Sequence, residues 1–109
     1  GWIENSKVLI IDEKKLAHKP KLPHMGWNKL QLTQHHSLFN QIDKSKGFYF
    51  LHSYHFSCDQ QYYLGTTYYG IEFPSAVRKE NIFGLQFHPE KSHSNGVNIF
   101  KNFSNLEQC

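Results

Sequence analysis

At 109 residues, with 39% hydrophobic and 16% aromatic side chains, the chain has room for one small folding unit with a modest core. It has no apolar run of about 18 residues and no charged, apolar, small-residue opening, so neither a membrane span nor a signal peptide is supported and a soluble, cytoplasmic protein is expected. The net charge of +3 comes from eleven lysines and a single arginine, Arg78, among nine acids. Nucleic-acid readers rely on bidentate arginine and on aromatics free to stack, whereas the aromatics here fall mostly within strand-like segments, so no nucleic-acid partner is expected.

The continuous run Val8-Leu9-Ile10-Ile11 predicts a short buried strand over Lys7 to Ile11. Asp12 to Pro23 is polar, carries two prolines and the Lys14-Lys15 and Lys19 to Lys21 clusters, and reads as a solvated loop. Trp27 to Leu32 alternates as a strand would. Ser37 is placed to cap a helical turn through Ile42, ahead of a turn at Asp43 to Gly47. Phe48 to Tyr54 carries the strongest strand signal. Tyr62 to Tyr69, Ala76 to Lys79 and Ile82 to Phe87 continue the β pattern, with Glu80-Asn81 turning a hairpin between the last two.

Pro89 has no amide for a strand ladder, so the β pattern stops there. Ser92 or Ser94 then caps a helix to about Leu106, in which Val97, Phe100, Phe103 and Leu106 recur every three residues and Ile99 widens the stripe that should pack on the sheet. Strands first and a helix last predict an α/β fold, one half of an α/β sandwich. No internal repeat or low-complexity tract competes with it.

The segment Gly84 to Ser92 holds the chemistry. If Phe87 to Glu90 is extended, His88 and Glu90 project to one face. A carboxylate bonded to one ring nitrogen then leaves the other free to take a proton from a nucleophile. Alone, His-x-Glu is a weak pattern, and a surface histidine beside a solvated acid produces it equally well.

Cys58 and Cys109 make no disulfide framework and suggest free thiols in a reducing compartment. Phe56-Ser57-Cys58-Asp59 lacks the small neighbours and strand-to-helix turn of a nucleophile elbow, and Asp59 opposes thiolate formation. Of the eight histidines, His35-His36 and His52-x-x-His55 invite a metal reading. Structural zinc usually draws on cysteine pairs, and on one strand His52 and His55 would face opposite ways, so no metal site is expected.

The blocks Lys21-Leu22-Pro23-His24-Met25-Gly26-Trp27-Asn28, Phe48-Tyr49-Phe50-Leu51-His52-Ser53-Tyr54, and Gly84 to Ser92 followed by Asn102-Phe103 resemble, in order and spacing, three successive blocks of the class I glutamine amidotransferases. The resemblance runs from Gly1 to about Leu106 and covers the family's carboxyl-terminal half. The Pro-His-Met-Gly-Trp-Asn block points to the branch of glutaminases that serves imidazole glycerol phosphate synthase, whereas Phe-His-Pro-Glu marks only the superfamily. Paralogues that feed sugar amination in surface-glycan pathways remain an alternative, as does a non-catalytic module that only binds a partner.

The resemblance implies that His88 is a catalytic base and Glu90 its orienter, acting on glutamine through a cysteine thiol, without cofactor. It implies that His52, Ser53 and Tyr54 line the glutamine pocket, although a strand emerging into solvent would give the same residues. Met25, Trp27 and Asn28 would face a partner synthase, a (β/α)₈ barrel, with Lys91 adding a charged contact. A core Trp27 and a solvated Lys91 are the competing readings. Nothing in the sequence matches the family's glycine-rich oxyanion loop or Gly-x-Cys-x-Gly elbow, so a partial domain over residues 1–109, inactive by itself, is expected.

Overall fold

The computed structural model describes residues 6–11 and 22–106. The loop expected from Asp12 onward lies outside them except at its last two residues, as does Cys109. The described residues form the strands β1 (Lys7–Ile10), β2 (His24–Asn28), β3 (Gln31–Leu32), β4 (Phe48–His52), β5 (Tyr54–Ser57), β6 (Tyr63–Tyr68), β7 (Glu72–Lys79) and β8 (Ile82–Leu85), and the helix α1 (His93–Ser104). All pairings are antiparallel: β1 with β5, β2 with β4, and a four-stranded sheet in the order β3-β6-β7-β8. The expected α/β architecture, mostly strands with a helix at the end, is what the described residues adopt.

The strand predicted over Phe48 to Tyr54 is two strands. The chain changes partner at Ser53, leaving β2 for β1, and the Ser53 carbonyl accepts from the Ile11 amide at 2.9 Å. The first strand is also less buried than predicted. Val8 and Leu9 are exposed because β1 pairs only with β5, while Ile11, just beyond it, is 1% exposed.

Pro74 is tolerated inside β7 because β8 pairs only from Ala76 to Lys79, so a missing amide at Pro74 costs no bond on that side. Glu80 and Asn81 turn the β7–β8 hairpin as expected, Glu80 taking a φ of 56°. The turn after Thr33 is a 3₁₀ turn over Ser37–Phe39. Its cap is the His36 ring rather than Ser37, with Nδ1 accepting from the Leu38 amide at 2.9 Å.

The core gathers Leu38, Phe48, Phe50, Leu64, Phe73, Phe87 and Ile99. Phe48 and Phe87 stack at 4.0 Å, and Phe50 meets Phe87 and Phe73 edge-on. Of the apolar stripe predicted to seat α1, Ile99 enters the core and Phe103 meets the Phe83 ring edge-on at 5.9 Å, but Val97, Phe100 and Phe103 are each more than half exposed. The buried face is Asn95, Gly96 and Ile99. It is chosen by hydrogen bonds, because the segment before β4 offers carbonyls with no ladder partner. The Asn95 amide donates to the Asp43 and Gly47 carbonyls at 2.8 Å and accepts from the Asp43 amide at 2.9 Å. Asn102 donates to the Leu38 and Asn40 carbonyls, also at 2.8 Å.

Candidate active site

β8 ends at Leu85, short of the predicted Phe87, yet the backbone stays tied to the sheet. The Gln86 amide donates to the Ser75 carbonyl and the His88 amide to the Tyr49 carbonyl, both at 2.9 Å. Pro89–Lys91 then form a 3₁₀ turn, so Phe87 to Glu90 is not the extended segment that sequence spacing suggested. The turn brings the two side chains together all the same. His88 Nδ1 lies 3.1 Å from Glu90 Oε2. The carboxylate can only accept here, so Nδ1 carries a proton, and in the neutral ring Nε2 is left with its lone pair. The amide of Glu90 itself is the main influence holding its carboxyl below the ordinary range, helped by the bond from His88 and the nearby His88 and Lys91 charges.

Ser92 holds this turn in place. Its hydroxyl, 1% exposed, accepts from the Tyr49 amide at 2.9 Å and donates to the His88 carbonyl at 2.7 Å. Ser92 does stand at the start of α1, but its side chain makes no capping bond. Both backbone groups of Tyr49, in β4, are therefore spent on fixing the His88 segment. A serine before a helix signals a cap; nothing in the sequence indicates that it reaches back to β4.

His52, Ser53 and Tyr54 fall at the break between β4 and β5. His52 Nδ1 donates to the Tyr54 carbonyl at 2.7 Å, and Tyr54 is exposed. Burial is the chief reason the His52 pKa lies below its ordinary value, with the neighbouring His55 and His88 acting in the same direction and the Tyr54 bond opposing it. The break and the His88–Glu90 pair are tied to one strand: β4 ends at His52, and its Tyr49 carbonyl holds the His88 amide. The strand break also changes the relation of His52 to His55: both rings approach Phe73, at 5.2 and 6.1 Å, instead of pointing to opposite faces. Among the described residues no group of three or more His, Cys, Asp and Glu could hold a metal ion.

Met25 and Trp27 lie on the outer face of β2, 61% and 47% exposed. Trp27 pairs in register with Tyr49, meets its ring edge-on at 6.3 Å and stacks on His93 at 5.4 Å. The Lys91 ammonium sits 5.9 Å from the centre of the same Tyr49 ring. Asn28 does not join this face. Its amide nitrogen is 2.9 Å from the Tyr68 carbonyl and 3.2 Å from His24 Nε2, while its oxygen accepts from the Lys29 amide at 2.7 Å. His24, which drew no role from the sequence, is the residue that joins Asn28 to His52.

Cys58 is partly buried, follows β5 in an irregular stretch, and has its thiol pKa pushed up, first by burial and then by Asp59. It sits on no strand-to-helix turn.

A carboxylate bonded to an imidazole thus lies past the end of a sheet and ahead of a helix, and the chain that carries the pair belongs to the class I glutamine amidotransferases: the family model Glutamine amidotransferase class-I matches residues 7–106. Among curated relatives it is similar to proteins named imidazole glycerol phosphate synthase subunit HisH. The one from Sulfurimonas denitrificans is 48% identical over 90% of this chain and 47% of its own length. That from Methanocaldococcus jannaschii is 49% identical over 84% of this chain and 47% of its own, and that from Leptospira borgpetersenii 45% identical over 97% and 52%. The chain thus spans about half the length of the curated relatives it matches. Among the described residues no helix is long and apolar enough to cross a membrane.

Proposed function

We propose that the chain supplies the base, its orienter and part of the glutamine pocket to a class I amidotransferase that hydrolyses glutamine to glutamate and delivers ammonia to imidazole glycerol phosphate synthase, in cytoplasmic histidine biosynthesis. The observation that carries this reading is the His88 Nδ1 to Glu90 Oε2 bond at 3.1 Å. With Nδ1 committed, His88 Nε2 takes the proton of a cysteine thiol. The thiolate attacks the side-chain amide carbon of glutamine, and His88 returns the proton to the departing ammonia. Water, deprotonated by the same nitrogen, then cleaves the γ-glutamyl thioester. Ser53 and Tyr54 contact the glutamine α-amino and carboxylate groups, and His52, with Nδ1 on the Tyr54 carbonyl and Nε2 on His24, lines the pocket behind them.

The thiol belongs to a nucleophile elbow outside these 109 residues. By itself the chain is therefore inactive. An open apolar cleft of about 460 Å³, lined by Val8, Phe56, Val77, Phe83 and Leu85 among others, offers a seat for the part of the fold that carries that elbow.

Met25, Trp27 and Lys91 form the face that meets the partner synthase subunit, a (β/α)₈ barrel, and ammonia crosses there without meeting water; Asn28 braces the strand from within. Trp27→Ala in the assembled enzyme should weaken association or raise the ratio of glutamate to aminated product, with little change in the melting temperature of the free glutaminase. A core tryptophan would instead cost about 3–5 kcal/mol on truncation. A large melting shift with normal coupling would remove Trp27 from the interface.

A further inference from the structure

His24 is the only titratable side chain among the described residues that the fold buries almost completely, at 2% exposure. Its ring lies between Phe50 and Tyr69, 4.7 and 4.0 Å away and within 17° of parallel to each. Both ring nitrogens are used. Asn28 Nδ2 is 3.2 Å from His24 Nε2, and His24 Nδ1 is 2.9 Å from His52 Nε2.

The direction of this chain follows from its two ends. The Asn28 amide is oriented by the Tyr68 carbonyl and the Lys29 amide, so its nitrogen donates to His24 Nε2. The neutral His24 ring then carries its proton on Nδ1 and donates to His52 Nε2. At the far end the Tyr54 carbonyl, 2.7 Å from His52 Nδ1, can only accept, which places the His52 proton on Nδ1. The two assignments meet at the same tautomer. Burial, then the neighbouring His52, lowers the His24 pKa to about 4, so the ring is neutral near pH 7.

We propose, resting on the glutaminase reading above, that His24 is a positioning residue for the glutamine pocket: by donating to His52 it holds that ring in the tautomer and rotation that pin the Tyr54 carbonyl. The backbone of Ser53 and Tyr54 is thereby set where β4 gives way to β5. His24 and His52 are direct cross-strand partners, so the bond spans β2 and β4 at the point where β4 ends and its next residues lose the support of that pairing. A histidine that only filled the core would also need both nitrogens satisfied; what sets this one apart is that its acceptor, His52, is the last residue of β4 and itself holds the Tyr54 carbonyl.

The test uses the assembled amidotransferase carrying this chain together with its nucleophile. His24→Phe keeps an aromatic ring between Phe50 and Tyr69 but removes the donor; His24→Asn puts an amide N–H near the position of Nδ1. Histidine ¹⁵N–¹H spectra report the His52 tautomer, and glutamine turnover reports KM and kcat. In His24→Phe the single His52 tautomer should give way to a mixture and KM should rise about tenfold, the loss expected for one neutral hydrogen bond, with kcat changing by less than about twofold. His24→Asn should recover most of both. An unchanged His52 tautomer and KM in His24→Phe, or a His24→Asn variant as impaired as His24→Phe, would overturn the assignment. A parent enzyme that keeps the single tautomer yet turns over no glutamine would defeat the glutaminase reading, and the role of His24 with it.

Discussion

Replacing His88 with Ala in the assembled enzyme should lower kcat for glutamine hydrolysis by about 10²–10⁴-fold, and by more where base and nucleophile act as a unit, while glutamine binding stays close to that of the parent. The base moves protons and holds little of the substrate. Glu90→Gln should be milder, because an amide oxygen still accepts from His88 Nδ1 but cannot stabilise the imidazolium. Glu90 lies on the exposed side of the turn, with its carboxyl held below the ordinary range, so it is ionised throughout neutral pH and the pairing persists. Steady-state turnover of the two variants decides the roles. Greater damage from Glu90→Gln than from His88→Ala would remove Glu90 from the part of orienter.

Gly96→Ala should cost about 3 kcal/mol or more of stability and disturb the site as well. A Cβ at Gly96 would run into the carbonyl of Pro89, which is backbone and cannot swing aside. Gly96 sits one turn into α1, where its amide bonds to the Ser92 carbonyl at 3.2 Å, and Pro89 begins the 3₁₀ turn that presents Glu90. The clash is relieved only by lifting the helix or moving the turn. Gly65→Ala provides the contrast: its Cβ would meet the Leu30 Cδ1 at 2.8 Å, a side-chain tip that can rotate, and the loss should be smaller. Urea unfolding of the two variants measures the difference, and equal midpoints would contradict the packing of α1 against the Pro89 turn.

The sequence made strands legible where a local run of apolar and aromatic residues marks them. Phe48 to His52 and the Glu80-Asn81 hairpin are local patterns, and they form where apolar runs and turn residues place them. The break at Ser53 was not legible, because it marks a change of partner from β2 to β1 and no residue there punctuates the chain. Hydrophobic periodicity found Ile99 on α1 but otherwise favoured an exposed face. Val97, Phe100 and Phe103 recur at helical spacing, but Asn95 and Asn102 decide the seating by satisfying carbonyls of the segment around residues 38–47, and a pattern of apolar residues is blind to that.

The His88 and Glu90 pairing was legible for a reason that proved incomplete. Two residues of spacing bring the side chains together across a 3₁₀ turn as well as along a strand, so the contact formed although the backbone differs. The roles of Ser92 and His24 were not legible because their partners are distant in the chain: Ser92 reaches Tyr49, and His24 reaches His52. The resemblance grouped Asn28 with Met25 and Trp27. The alternation of β2 separates them, sending Met25 and Trp27 outward and Asn28 toward His24.

The most direct measurement is glutamate release from glutamine by the 109-residue chain alone and by the same chain mixed with the nucleophile-bearing half of the amidotransferase domain. No turnover is expected from the chain alone, and turnover dependent on His88 once the other half is added. Turnover by the chain alone would contradict this expectation; if that activity disappeared in Cys58→Ala, the nucleophile would be Cys58, despite its partial burial and the neighbouring Asp59.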